Sequence, residues 1–395
     1  MKRCRRIYLD NNATTPLCPE SVKAMRCVDS KFGNASSHHC YGFEAHDLIA
    51  KARDKMVRLL GCSPHELIFT SCATESNNLA IQGWCRKVKG QLSLLYTPIE
   101  HPSVFNPIRA MVRLEPKRIT RHHIRVLPTG RVDLCQLRFL LSHSRGKKLV
   151  CVILANHELG TLQDIRDIAQ LVHKHKGWLH SDCTQAVGKL TINLHELGVD
   201  SASFSAHKFN GPKGIGGLFV RHNLQKKLDQ LMFGGNQEWL LRPGTEGVSA
   251  IVGMAKALEV CVRRKFDWAH SHQLRQQLLA GLYAHQCDIP NFRVNGGMQS
   301  LPGTVSLSFE HVDANKLVMY LNEHGICISR GSACKAASKT GSNVLDAIDL
   351  PEAYRKGTIR VGIGRYNTPA HIRRILALLV GYLKKQPKKR RQRRK

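Results

Sequence analysis

From about residue 45 to 260, short apolar runs alternate with amphipathic helical patterns, and this alternation constrains the fold more than any other feature. A-H-D-L-I-A-K-A-R-D-K-M-V-R-L-L-G places its apolar residues on one helical face and stops at Gly61. E-L-I-F-T then reads as a strand and N-N-L-A-I-Q-G-W as a helix. K-L-V-C-V-I-L-A reads as a buried strand, followed by the helix D-I-R-D-I-A-Q-L-V-H-K-H-K-G. W-L-H-S-D, A-S-F-S-A and G-I-G-G-L-F-V read as further strands. Such alternation predicts an α/β domain built on a largely parallel sheet. Beyond residue 260 the pattern changes to one long helix, roughly 252–285, the strand T-V-S-L-S-F, the helix N-K-L-V-M-Y-L-N-E-H-G, the strand I-R-V-G-I and a closing helix H-I-R-R-I-L-A-L-L-V-G-Y-L. We expect a large domain over residues 15–260, a smaller α+β domain from residues 1–14 and 261–383, and a basic, disordered tail over 384–395.

Composition narrows the class. Of 395 residues, 42% are hydrophobic, enough for a real core. No apolar run approaches the roughly 20 residues that span a bilayer, and the basic start M-K-R-C-R-R-I-Y-L-D has no apolar stretch of a secretory signal behind it. Fourteen cysteines include no C-x-x-C pair, which argues against a zinc ribbon, a ferredoxin-type cluster and a thioredoxin-like motif. Free thiols in a reducing cytoplasm and no metal site are the expectation. The formal charge of +31 implies attraction to polyanions, including phosphate contacts with nucleic acid. The final segment K-K-Q-P-K-K-R-R-Q-R-R-K carries much of it, and residues 109–148 are a second basic region opposed only by Glu115 and Asp133.

Ligands of open α/β sheets lie beyond the carboxyl ends of the strands. After E-L-I-F-T comes S-C-A-T-E-S-N-N, whose small hydroxyl residues suit an anion at a helix start or an ordinary N-cap. After W-L-H-S comes Asp182, placed either to cap the strand end or to face a cationic ring nitrogen. After A-S-F-S-A come His207 and Lys208, and a lysine there suits Schiff-base chemistry. The following F-N-G-P-K-G-I-G-G is not a Walker loop. An aldehyde-trapping lysine, an acid for a pyridinium nitrogen and a phosphate cup together fit pyridoxal 5'-phosphate.

Beyond these three features, an ordered set of motifs resembles the cysteine desulfurases of the class V aminotransferase group. It begins with Y-L-D-N-N-A-T-T-P, F-G-N-A-S-S, F-T-S-C-A-T-E-S-N-N-L-A, I-E-H-P-S-V and A-N-H-E-L-G-T-L-Q-D-I. S-D-C-T-Q-A-V-G-K, S-F-S-A-H-K-F-N-G-P-K-G-I-G-G, R-P-G-T-E-G-V-S-A-I-V-G-M, S-R-G-S-A-C and I-R-V-G-I-G-R-Y-N-T complete it, covering roughly residues 6–380. The resemblance implies an aspartate-aminotransferase-like, fold-type I transferase acting as a homodimer. It implies that Lys208 binds the cofactor and moves protons, that Asp182 pairs with the ring nitrogen, and that Gln185 bonds the ring oxygen. His101 would stack on the ring and serve as an acid/base, and His157 would stand near the ring oxygen or substrate. Ala73, Thr74, Ser205 and His207 would hold the phosphate, with Thr245 reaching across a dimer interface. Arg360 would clamp the substrate carboxylate, and Asn34 would line that end of the site. Cys334, in R-G-S-A-C-K-A-A-S-K-T-G-S, would attack the sulfur of L-cysteine and carry it as a persulfide, releasing L-alanine. Arg330, Lys335 and Lys339 supply positive charge beside that thiol. Destinations for the sulfur would be a scaffold for iron–sulfur assembly or an enzyme thiolating tRNA or DNA.

Four positions depart from the family pattern: Cys72 and Asn236 replace glycines, His157 an asparagine and Arg330 a small residue. At Cys72 a side chain is costly if the backbone needs a positive φ or must approach a phosphate closely. Two other activities therefore stay open at this level: a selenocysteine lyase, and a weakened paralogue retained for binding nucleic acid or as a scaffold.

Overall fold

The computed structural model describes residues 6–264, 266–331 and 343–386. Its strands in chain order are β1 (Ile7–Tyr8), β2 (Leu67–Thr70), β3 (Leu92–Tyr96), β4 (Ile119–His123), β5 (Lys147–Cys151), β6 (Trp178–Asp182), β7 (Ser201–Ser205), β8 (Gly216–Val220), β9 (Phe292–Asn295), β10 (Thr304–Phe309), β11 (Ile326–Cys327), β12 (Ser329–Arg330) and β13 (Thr358–Gly362). Seven of them form one sheet in the order β2-β8-β7-β6-β5-β3-β4. Only β8 runs antiparallel to its neighbours. The central strands are buried along nearly their whole length, as L-S-L-L-Y and G-G-L-F-V predict for a sheet covered by helices on both faces.

The helix Cys40–Leu60 starts on the side chain of His39 and ends at Gly61, whose φ of 64° only glycine adopts without strain. The expected helix over 252–285 is instead two helices, Val248–Arg263 and Phe266–Ala284. Arg264 separates them with ψ at 63°, outside the helical region. Neither proline nor glycine marks this break in V-R-R-K-F-D-W, which is why one helix was expected.

A four-stranded antiparallel sheet, β12-β13-β10-β9, lies in the C-terminal part, and β1 pairs in parallel with β11. Leu9 packs into the same core as Leu274, Val305, Leu321, Val361 and Ile375. The N-terminal segment crosses tightly over β13 beyond β1. A Cβ at Gly362 would stand 2.7 Å from the Asn11 nitrogen, so a glycine is required there. This crossing brings Asp10, Asn11 and Asn12 to the carboxyl edge of the large sheet, opposite the end of β7. Among the described residues no helix is long and apolar enough to cross a membrane.

Candidate active site

Seven sequence-distant segments meet at the carboxyl edge of the large sheet. Asp182 closes β6 and is 3% exposed. The Thr184 backbone N–H donates to one carboxylate oxygen (2.9 Å) and the Asn77 amide to the other (3.1 Å). Asn77 is itself fixed, because its Nδ2 also donates to Ser103 Oγ and its Oδ1 lies 2.9 Å from His180 Nε2 and accepts from Ser203 Oγ. A buried carboxylate held by donors on both oxygens keeps one orientation and favours a cation in front of it.

Lys208 ends the short 3-10 turn Ala206–Lys208 that follows β7. Its Nζ donates to the carbonyls of Asn12 (2.7 Å) and Ala13 (2.8 Å). The Asn12 carbonyl also accepts from Gln185 Nε2 at 2.8 Å. His101 caps the helix Pro102–Leu114, with its Nδ1 accepting from the Ser103 backbone N–H. A neutral His101 therefore carries its proton on Nε2. Its ring stands edge-on to that of His157, centroids 5.5 Å apart. Burial, with the Lys208 charge adding to it, outweighs Asp182 and lowers the basicity of His101. Burial depresses His157 still further, with His101, Arg360 and Lys208 pushing the same way, so it is neutral.

Arg360, on β13, is 2% exposed. Asp10 binds one end of its guanidinium at 2.9 Å and the His157 carbonyl accepts from the other at 3.0 Å. The Asp10 carboxylate fixes the orientation of the guanidinium. The same contact keeps the buried charge compensated.

One end of the site is built from the start of the helix Ala73–Lys87 and the end of β7. Ala73 is buried, Thr74 is exposed in the first helical turn, and Ser205 is 2% exposed. His207 Nδ1 lies 3.1 Å from Thr14 Oγ1, and burial among Lys208, Lys213 and Lys189 pushes its imidazole down to about 4. The expected strain at Cys72 is absent. Its φ is −175°, ordinary extended backbone, and the close approach is made by Gly216, where a Cβ would lie 2.9 Å from the Cys72 main chain. Asn236 also has an ordinary φ of −89°. Arg330 is turned to Asn315, whose Oδ1 accepts from it at 2.6 Å.

The structure thus brings together Lys208, Asp182, Gln185, His101, His157 and Arg360, with Ala73, Thr74, Ser205 and His207 at one end. It does not join Asn34 or Thr245 to them. Asn34 is exposed and accepts from the Ser36 N–H, and Thr245 is exposed on the turn after Gly244. Cys334, Lys335 and Lys339 lie outside the described residues. The sequence reading missed Asp10, Asn12, Asn77, Ser103 and His180. The D-N-N run after the first strand was the available signal for the first two.

Among the described residues, Thr184 Oγ1, Ser205 Oγ, His157 Nδ1 and Arg360 Nε, all on residues of this site, are buried without a hydrogen-bond partner. Buried polar atoms are rarely left so. With the Asp182 carboxylate and the Lys208 amine, this set fits a phosphorylated, aldehyde-bearing pyridine. Fold and site together define a fold-type I pyridoxal-phosphate enzyme.

The comparisons narrow this class further. The aminotransferase class-V family matches residues 7–375, and the chain belongs to it. Its cofactor is pyridoxal 5'-phosphate. A cysteine desulfurase of Trichormus azollae is 36% identical over 376 residues, covering 94% of this chain and 92% of that protein. A solved NifS-like protein superposes with a TM-score of 0.87 at 34% identity, over 96% of this chain and 99% of its own. A solved structure described as SspA in complex with cysteine gives a TM-score of 0.79 at 32% identity, over 91% of this chain and 99% of that one.

Proposed function

We propose that this protein is a cysteine desulfurase that takes sulfur from L-cysteine onto Cys334 and releases L-alanine. The observation that carries the reading is the Lys208–Asp182 pair at adjacent strand ends, with Arg360 preset by Asp10 across the site. The relatives named desulfurases and the related structure holding cysteine support it. When bound, pyridoxal phosphate supplies an electrophilic aldehyde carbon and a ring that absorbs the electron pair of a broken C–H bond.

The chain does the rest. Arg360 binds the substrate carboxylate and so fixes the position of Cα. Lys208 removes the proton at Cα, its amine being held at the site by the Asn12 and Ala13 carbonyls. Asp182 keeps a proton on the ring nitrogen, and the Asn77 and Thr184 donors keep Asp182 from rotating away. His101 Nε2 holds a proton at the ring face. The Cys334 thiolate forms an S–S bond to the substrate sulfur as the C–S bond breaks, the carbon left behind takes a proton to become the alanine methyl group, and Lys208 returns a proton to Cα. Cys334 leaves as a persulfide.

In this reading the protein acts as a homodimer in the cytoplasm, with Thr245 contributing to the partner's phosphate site and Asn34 lining the substrate end. Residues 15–260 form the cofactor-binding domain, and 1–14 with 261–383 the smaller one. The persulfide passes to an acceptor serving iron–sulfur assembly or nucleic-acid thiolation. Supporting a polyanionic partner, Arg109, Arg113, Lys117, Arg121, Arg138, Arg145 and Lys147 are all exposed near the β4 edge of the large sheet. The test is turnover: purified protein with pyridoxal phosphate converts L-cysteine to equal amounts of alanine and, with a reductant, sulfide. Preferred release of selenide from selenocysteine, with no sulfide, would replace this reading by a lyase.

A further inference from the structure

Lys189 lies in the turn that follows Asp182, seven residues on, and has no part in the mechanism above. Its Nζ donates to Gln185 Oε1 at 2.5 Å, and Gln185 is 2% exposed. On the far side of Gln185 the amide nitrogen donates to the Asn12 carbonyl, which also accepts from Lys208. These contacts form one chain from Lys189 through Gln185 and Asn12 to the cofactor-binding lysine.

The chemistry of the chain admits one amide orientation. An ammonium has three donors and no acceptor, and a carbonyl has no donor. Turning the Gln185 amide over would set N–H against N–H at Lys189 and oxygen against oxygen at Asn12. Gln185 therefore presents its NH2 group to the site, and Asn12 uses only one of its two hydrogens. Lys189 also borders a cavity of about 510 Å³ shared by Asn12, Lys208, Cys261, Thr304 and Arg365, which gives it a proton path to solvent.

We propose that Lys189 is a positioning residue that locks the Gln185 amide with its NH2 toward the cofactor's ring oxygen. This rests on the pyridoxal-phosphate reading of the site. Burial, with Lys208 and Arg360 repelling it and Cys261 opposing them weakly, pushes the Lys189 ammonium down to about 7. Arg264 and Arg365 also face the cavity beside it. The lock is therefore strongest below neutral pH and loosens as Lys189 loses its proton.

An N–H facing the ring oxygen stabilises that oxygen as an anion, and a flipped amide oxygen destabilises it. The holoenzyme's visible absorption reports this ionisation. In Lys189→Met the pH midpoint of the absorption change should rise by about one unit, the equivalent of one hydrogen bond to a charged acceptor. Lys189→Arg should keep the midpoint close to that of the parent protein. In a Gln185→Leu background, Lys189→Met should add no further shift, because the amide it acts through is gone. Should Lys189→Met not fold, Lys189→Gln takes its place in both comparisons. A parent protein with a normal cofactor spectrum and an unchanged midpoint in Lys189→Met would overturn the role of Lys189. So would equal shifts with and without Gln185. A parent protein that takes up no cofactor would overturn the underlying reading of the site, and this inference with it.

Discussion

Replacing Glu100 by glutamine should stabilise the protein progressively as pH rises. Glu100 precedes His101 and is 2% exposed. Its Oε1 accepts from Thr97 Oγ1 (2.6 Å) and from the Ile153 N–H (2.9 Å), while Oε2 is buried without a partner. Burial outweighs both bonds, and the nearby Asp182 charge adds to it, so the carboxyl is pushed up from 4.5 to about 8. The folded protein thus keeps this proton at pH 7, whereas the unfolded chain releases it above about 4.5. The folded pKa is the raised one, so the stability this group contributes is fully present below about 4.5 and is lost as pH rises through about 8. Each unit of difference is worth about 1.4 kcal/mol, giving roughly 5 kcal/mol once the group is fully titrated and about 4 kcal/mol by pH 8, where the folded group is half-titrated. Glutamine has the same shape, keeps the Oε1 contacts and has no proton to lose. The difference in urea midpoint, Glu100→Gln minus parent, should be near zero at pH 4.5 and grow toward an equivalent of about 4 kcal/mol at pH 8. Subtraction removes every other titrating group common to the two proteins. Parallel stability profiles from pH 4.5 to 8 would refute the argument, because they would mean that Glu100 is ionised in the fold.

Asn77→Ala removes the donor to Asp182 and the partner of Ser203 Oγ and His180 Nε2; a loss of about 2 kcal/mol in denaturant unfolding and a lower kcat are expected. Asp10→Asn removes the charge that presets Arg360, and steady-state kinetics should show KM for L-cysteine raised by about tenfold with kcat changed much less. Arg53→Met strands Glu238, which is 7% exposed and ion-paired to Arg53 at 2.5 Å, so a loss of roughly 3 kcal/mol is expected by chemical denaturation.

The parts of the site that follow directly from local sequence were readable in advance. Lys208 and Asp182 each stand where a strand pattern stops, and a carboxyl strand end is where such sheets bind ligands. His101 sits before a proline at a helix start, a position that forces an extended backbone. The roles of Asp10, Asn12 and Asn77 were not readable, although the D-N-N run marks the first two, because those roles are contacts across 350, 196 and 105 positions of chain respectively. Cys72 illustrates the opposite error. A glycine is expected at that position, yet the crowded backbone belongs to Gly216 on the neighbouring strand, and only the sheet register reveals it. The break at Arg264 escaped notice because neither proline nor glycine marks it.

The central claim is that a cysteine thiol of this chain takes the sulfur atom. Parent protein and Cys334→Ala, both loaded with pyridoxal phosphate, are given one turnover of L-cysteine without reductant, and the intact mass is measured alongside alanine. The account predicts one added sulfur on the parent, mapped to Cys334, with one alanine released per site, and neither in Cys334→Ala although its cofactor spectrum still responds to L-cysteine. Alanine release by Cys334→Ala at the parent rate, with no sulfur on the parent chain, would contradict it.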